Sequence, residues 1–395
     1  MAEKQTVLFA YNAMNVGGST TSLLSILNSL NYSKFDVDLL LNTNTGPLLN
    51  SISKEVTLLP QARKYANRKA EYFHRLLSPR YLYHYLRSRQ IIKRSGKAIQ
   101  GAQYREWKDI DFFRSIDTEY DTAVAFLEGD RCKFVARHIK AKRKIAWIHV
   151  NYKDAGFNPA YDRDTMAVFD AIVLVSQDSK AAFDEAFPEL SHKTCVIENI
   201  LASEYVRNRA AQDTAFAVDK EKLNLISACR INFRSKGLDR AVEAMSRLKR
   251  EGLLQNIMWY ILGDGPDKAT LEEMIDAADL KEHIRLLGEQ LNPYSFMPNM
   301  NCFFLPSRFE GKPMAVTEAF MMGLPALATE YSSAREQIRH DVDGFVMENS
   351  TDGIYEGLKT ILTHPEKIAV WKENVTQTEY SNVEEVRSVE SIISS

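Results

Sequence analysis

Cys302-Phe-Phe-Leu-Pro306 runs directly into Ser307-Arg-Phe-Glu-Gly-Lys-Pro-Met-Ala-Val-Thr-Glu-Ala-Phe-Met-Met-Gly-Leu-Pro325. The first segment is a short apolar run of the kind that forms a buried parallel strand. Glu310-Gly311-Lys312 reads as a turn. Pro313 suits the first turn of a helix, where the N–H that proline lacks would be unpaired anyway. Gly323, with Pro325 beyond it, marks the helix end near Met322. A helix that starts just after a strand aims its free N–H groups and the positive end of its dipole at the top of the sheet, where an anion fits. Glu310 then lies in the loop, and Glu318 lies about a turn and a half into the helix, facing the same side. Carboxylates make poor phosphate ligands but good acceptors for hydroxyl groups that flank phosphates. A nucleotide sugar offers a ribose on one side and a sugar on the other.

This setting, Phe-Glu-Gly-Lys-Pro, Thr-Glu-Ala and Met-Gly-Leu-Pro after an apolar strand, resembles the signature of family 4 of the retaining glycosyltransferases (glycosyl transferases group 1), of the bacterial surface-polysaccharide type. The resemblance implies the GT-B fold, α/β with two doubly wound Rossmann-like domains facing across a cleft. It covers nearly the whole chain, most strongly residues 223–345. A surface helix with two solvated glutamates is the plain alternative; the apolar residues on both sides of Glu318 oppose it.

The 395 residues are too many for one ordinary core and suggest two or three domains. Lys and Arg number 50 against 52 acids, so overall charge names no partner. Cys132, Cys195, Cys229 and Cys302 are scattered without metal-ligand spacing and read as buried thiols of a reducing compartment. The first ten residues lack the apolar run of a signal peptide, and no stretch reaches membrane-spanning length. The expectation is a cytoplasmic protein, soluble or peripheral on the inner face of the membrane.

From the N-terminus, Thr6–Ala10 reads as a strand, followed by a loop with Gly17 and Gly18 and then a helix. A glycine pair there lets backbone approach a ligand, and an ordinary tight turn is the alternative. The third glycine of a dinucleotide fingerprint is missing. The resemblance implies that Gly17 and Gly18 approach the donor diphosphate. Strands at 35–41 and 56–59 continue a parallel, doubly wound pattern. Residues 61–108 break it. They hold 13 Lys or Arg against two acids, a net of +11, which leaves the rest of the chain at −13. Tyr65, Tyr72, Phe73, Tyr81, Tyr83, Tyr85 and Trp107 are interleaved, as in a helical insertion (about 61–117) that meets an anionic membrane surface. A solvated basic face is the alternative, and no nucleic-acid motif accompanies the patch.

The sheet resumes at 121–127 and 144–150. His149 lies at a strand's C-terminal end, where open α/β sheets bind ligands. The resemblance implies that His149 lies near the donor sugar and reacting centre. Glu128 is a candidate acceptor contact or equally a structural carboxylate, and Asn151 is a second acceptor candidate. The resemblance implies a first domain, 1–205, that binds the acceptor, a second, 206–375, that binds the nucleotide sugar, and a helix at 376–395 that crosses back. In the second domain Arg230 and Lys236 flank a strand end and a helix start, where two cations can neutralise a leaving diphosphate. Arg234 competes with them. The resemblance implies that the loop at Gly288, Glu289 and Gln290 lines the nucleobase. Gly311, Lys312, Pro313, Met314, Ala315 and Val316 supply the helix start.

The resemblance implies transfer of a hexose-type sugar, with retention, from a nucleotide sugar, uridine rather than guanosine, to a glycan acceptor. The basic insertion suits a lipid-linked acceptor in capsule or lipopolysaccharide assembly. Glu310, His149, Arg230 and Lys236 are the catalytic candidates, no cofactor or metal is expected, and nucleic acid is not a partner. A non-catalytic partner subunit and a nucleotide-sugar epimerase are the other readings.

Overall fold

Gln5–Tyr11 forms β1, and its alternation separates two cores. Val7, Phe9 and Tyr11 pack on one face, Leu8 and Ala10 on the other. Such two-faced burial is what an apolar run in a parallel sheet requires. A computed structural model describes residues 4–62, 79–109, 113, 114, 116–201, 203–211 and 216–395. The chain divides into two units, Met1–Ile200 with Val383–Ser395, and Leu201–Asn382. The sequence suggests boundaries at 205/206 and 375/376; the divisions fall at 200/201 and 382/383.

In the first unit, β1 is followed by β2 (Phe35–Leu41), β3 (Val56–Leu58), β4 (Ile116–Ala125), β5 (Ile139–Ile148), β6 (Ala171–Leu174) and β7 (Thr194–Val196). They form a parallel sheet of order β3-β2-β1-β4-β5-β6-β7. The strands β4 and β5 start earlier than the apolar runs suggest. Their first halves carry exposed Asp117, Glu119 and Lys140; Glu119 and Lys140 pair by backbone without burying side chains, and Asp117 falls in a shift of register. The Val386–Ser394 helix belongs to this unit. Val386, Val389 and Ile393 enter its core, and Thr122 Oγ1 donates to the Ile393 carbonyl at 2.8 Å. Three such buried side chains contribute roughly 1.5–3 kcal/mol each.

Residues 63–78, 110–112 and 115 of the expected insertion, including Tyr65, Tyr72 and Phe73, lie outside the described residues. Its described part is two helices, Pro79–Ser95 and Ala98–Asp109. The second is fastened by a buried polar network. Lys133 Nζ pairs with Asp162 Oδ1 at 3.0 Å and donates to the Gln103 carbonyl at 2.9 Å. The Gln103 amide and the Tyr152 hydroxyl both donate to Asp162 Oδ2. Breaking one partner of such a buried pair costs about 3–5 kcal/mol. The Pro79–Ser95 helix carries no acid and leaves Leu82, Tyr83 and Leu86 half or more exposed (50%, 62% and 55%), beside exposed Arg80, Arg87, Arg89, Lys93 and Arg94. Among the described residues no helix is long and apolar enough to cross a membrane.

The second unit repeats the construction with β8 (Leu223–Ala228), β9 (Ile257–Leu262), β10 (Ile284–Gly288), β11 (Cys302–Leu305), β12 (Ala326–Thr329) and β13 (Gly344–Met347). The order is β10-β9-β8-β11-β12-β13, all parallel. Leu225, Trp259 and Phe304 face one core, and Ile226, Tyr260 and Phe303 face the other. The strand order reverses between β8 and β11, and ligands of open α/β sheets bind beyond the strand ends at such a switch point.

Candidate functional site

Arg230 and Lys236 follow β8, and Glu310 follows β11, so the switch point of the second unit collects all three. The loop after β8 is shaped by glycines. Gly237 is left-handed (φ 61°), and a Cβ there would lie 2.3 Å from the Pro306 carbonyl oxygen. A Cβ on Gly263 would lie 1.9 Å from the Cys229 carbonyl oxygen. Asn232 caps the Phe233–Lys236 turn by accepting from the Ser235 N–H.

Within this frame Lys236 Nζ meets Glu310 Oε1 at 2.5 Å, and Ser307 Oγ donates to the same oxygen at 2.6 Å. Burial pulls the Lys236 pKa down, the Glu310 charge pushes it up, and the net direction is up. Arg308 is spent elsewhere, gripping Asp239 through two bonds of 2.7 Å. Arg230 is exposed and, among the described residues, has no hydrogen-bond or ion-pair partner. Arg234 is exposed on the following turn. The loop after β8 therefore carries one exposed guanidinium and one ammonium held by a carboxylate. An incoming diphosphate can compete for that ammonium and release Glu310.

The helix after β11 runs Met314–Met321, one residue later than the sequence suggests. Pro313 stands before it with an extended backbone (φ −68°, ψ 116°), so it is the cap rather than the first helical residue. Gln337 holds that start by donating to the Pro313 carbonyl at 2.9 Å and to Thr317 Oγ1 at 2.8 Å. Met314 and Val316 bury their side chains, and the Val316 N–H turns back to the Pro313 carbonyl at 3.2 Å. Gly311 is buried, while Lys312 and Ala315 are half-buried.

Glu318 is buried in the apolar core and accepts a hydrogen bond from the Tyr294 hydroxyl at 2.9 Å. Burial pushes its pKa up to about 7, against the pull of that bond. It is thus poised between acid and carboxylate at neutral pH, a departure from the acceptor-only carboxylate expected from the sequence. Tyr294 escapes a reading of the sequence, since nothing local marks the Pro293–Asn299 turn as a neighbour of Glu318. Gly288 ends β10 with φ +70° and open space where a Cβ would be. Glu289 is exposed, and Gln290 ties its amide to the Leu287 carbonyl at 2.6 Å.

In the first unit, β1 leads to the Gly18–Ser29 helix. Gly17 caps it in an extended conformation, and a Cβ added there would meet nothing within 4 Å. The Tyr11 hydroxyl is shared with Ser19 Oγ at 2.8 Å and Thr20 Oγ1 at 3.0 Å. Glu128 accepts the His149 N–H at 3.0 Å, and burial pushes its pKa up. The His149 ring meets Phe126 edge-on at 4.9 Å, both ring nitrogens are shielded from solvent, and burial lowers its pKa to about 4. Asn151 donates to Asp178 Oδ2 at 2.6 Å and accepts the N–H groups of Lys153 and Asp154. Its side chain shapes a turn at the end of β5.

Residues 208–378 match the family described as glycosyl transferases group 1. An uncharacterised glycosyltransferase of Methanocaldococcus jannaschii is 28% identical over 200 residues, 50% of this chain and 48% of its own. The N-acetylgalactosamine-N,N'-diacetylbacillosaminyl-diphospho-undecaprenol 4-alpha-N-acetylgalactosaminyltransferase of Campylobacter jejuni is 29% identical over 196 residues, 48% of this chain and 50% of its own. The chain thus spans about half the length of these curated relatives. Among solved structures, the Anabaena protein HepE in complex with UDP-glucose superposes with a TM-score of 0.69 at 14% identity, covering 99% of both chains. Residues 208–378 are thus similar to the glycosyl transferases group 1 family, and the fold of the chain is GT-B.

Proposed function

We propose that the chain is a retaining glycosyltransferase that moves a hexose-type sugar from a UDP-sugar to a lipid-linked glycan during cell-surface polysaccharide assembly. The second unit takes the donor and the first unit the acceptor. The observation that carries the reading is the Lys236–Glu310 pair joining the β8 and β11 ends, with exposed Arg230 on the same loop after β8 as Lys236. Two cations and a helix start suit a leaving diphosphate.

On this reading the bond from the anomeric carbon to the diphosphate oxygen breaks. Arg230, Lys236 and the start of the Met314–Met321 helix take up the charge that develops. The acceptor oxygen attacks from the same face, and its proton passes to the departing phosphate. Glu310 holds the donor sugar hydroxyls once Lys236 has turned to the diphosphate, and Glu318 takes the ribose hydroxyls. The cations supply the needed charge, so the reading requires no metal. UDP in the HepE complexes supports uridine as the base. The basic, partly apolar face of the Pro79–Ser95 helix supports a site of action on the inner membrane face.

The test incubates the purified chain with a panel of nucleotide sugars and measures nucleotide release, beside Lys236→Ala and Glu318→Ala. Release from one donor should fall on the order of 10²-fold or more in Lys236→Ala, the usual scale for losing a charge-stabilising group. Near-parental release in both variants, with folding intact, would sink the mechanism.

A further inference from the structure

Tyr294 has no part in the donor chemistry above, yet it alone among the described side chains donates a hydrogen bond to the Glu318 carboxylate. It stands in the Pro293–Asn299 turn that follows β10, is only 5% exposed, and reaches Glu318 Oε1 at 2.9 Å. Glu318 is 7% exposed, on a helix whose Met314, Val316, Ala319 and Phe320 are buried in an apolar core. A carboxyl group in such a place is held ionised and in one rotation only by its hydrogen bonds. Burial is the larger influence on its titration and the Tyr294 bond the smaller, opposing one; no charged side chain adds to that balance.

The bond is also one-sided. It engages one carboxylate oxygen and leaves the other to accept. A vicinal diol needs a carboxylate that is both ionised and fixed in plane. We propose that Tyr294 is a positioning residue which, through Glu318, makes the site select ribonucleotides over 2'-deoxyribonucleotides. The inference rests on the reading in which Glu318 takes the ribose hydroxyls. A tyrosine that merely fills the core would leave sugar selection untouched, and the comparison below separates the two roles.

Calorimetric binding of UDP, 2'-deoxy-UDP, GDP and 2'-deoxy-GDP to the full chain at pH 6, 7 and 8 provides the test, with Tyr294→Phe and Glu318→Gln alongside the parent. Losing a hydrogen bond to a charged group is worth about tenfold or more, so the parent should prefer the ribonucleotide by at least that factor at pH 8. The preference should shrink toward pH 6 as Glu318 takes up its proton. Removing the hydroxyl that favours the ionised form should cut the preference several-fold at pH 7 and restore part of it at pH 8. Glu318→Gln should show a small preference that does not change with pH. A Tyr294→Phe protein with the parent's preference and pH profile overturns the assignment of Tyr294 alone. A parent that binds UDP and 2'-deoxy-UDP equally overturns the ribose role of Glu318 as well. A parent that binds neither UDP nor GDP overturns the donor-site reading itself. Matching thermal unfolding of parent and Tyr294→Phe guards against a folding artefact.

Discussion

The two units are built alike and finished differently. Each is a parallel sheet whose order turns at a central strand, β1 in one and β8 in the other. At the end of the first sheet, polar groups are consumed by one another. Glu128 holds the His149 backbone, Tyr11 shares its hydroxyl with two side chains, and Asn151 closes a turn. Burial moves both titrating groups there toward their neutral forms. At the end of the second sheet charge is kept available, in the Lys236–Glu310 pair and in exposed Arg230. A preset surface of hydrogen-bonded polar groups suits hydroxyl groups of an acceptor. A surface with cations in reserve suits a diphosphate, whose charge grows as it leaves.

The contrast is sharpest in how single groups titrate. Glu318 has a pKa raised from 4.5 to about 7, so the native state binds more protons than the unfolded chain between those values. Its contribution to stability is full below 4.5 and is lost as pH rises through 7. His149 has a pKa lowered from 6.5 to about 4, so the unfolded chain binds more protons in that window. Its contribution is full above 6.5 and is lost as pH falls through 4. Urea unfolding between pH 4.5 and 8 should show Glu318→Gln gaining on the parent by roughly 2–3 kcal/mol toward pH 8. His149→Gln should gain on the parent by a similar amount toward acid, about 2–3 kcal/mol. Two variants that drift from the parent in the same direction would break the comparison.

Much of this construction is legible in the sequence because its signals are local. The run at 302–305 followed by Gly and Pro punctuation is enough to place β11 and its helix, and the apolar run at 171–174 places β6. Lys236 and Glu310 both read as site residues from the sequence, but for separate tasks. Their direct pairing depends on β8 lying beside β11, with Cys302 opposite Leu225, a contact between strands far apart in sequence. The hold of Tyr294 on Glu318 is hidden for the same reason. The sequence sets Pro313 one residue too far into its helix because a proline fixes φ and says nothing of ψ. The fastening of the insertion through Gln103, Lys133 and Asp162 is equally invisible, since buried charges look like surface charges until the fold brings them together.

Two glycines extend the comparison at smaller scale. Gly237 is required by its own unit, through a left-handed backbone and a carbonyl oxygen 2.3 Å from any added Cβ. Gly17 has an extended backbone and open space around it, so neither conformation nor packing within the protein asks for glycine. Gly237→Ala should therefore cost about 1–3 kcal/mol in denaturant unfolding. Gly17→Ala should stay within about 0.5 kcal/mol of the parent, as surface changes do, while slowing nucleotide release. That split identifies Gly17 as a place of approach for a ligand. A Gly17→Ala protein with full activity would return it to the status of an ordinary turn.

The smallest effect concerns the Pro79–Ser95 helix, a part of the first unit that is basic without an acid. Its cations and its exposed Leu82, Tyr83 and Leu86 form one surface without an acid among them. Attraction to anionic lipid is worth about 1 kcal/mol per cation near the surface and weakens with salt, whereas burial of an apolar side chain is insensitive to salt. Binding to vesicles containing phosphatidylglycerol should weaken about fivefold in Arg87→Gln at low salt, and that difference should fade as salt is raised. Leu86→Ser should weaken binding by a factor that salt does not change. Equal affinity of parent and variants for anionic and neutral vesicles would remove the membrane from the account. The acceptor's place in the first unit would then have to be sought at the sheet end alone.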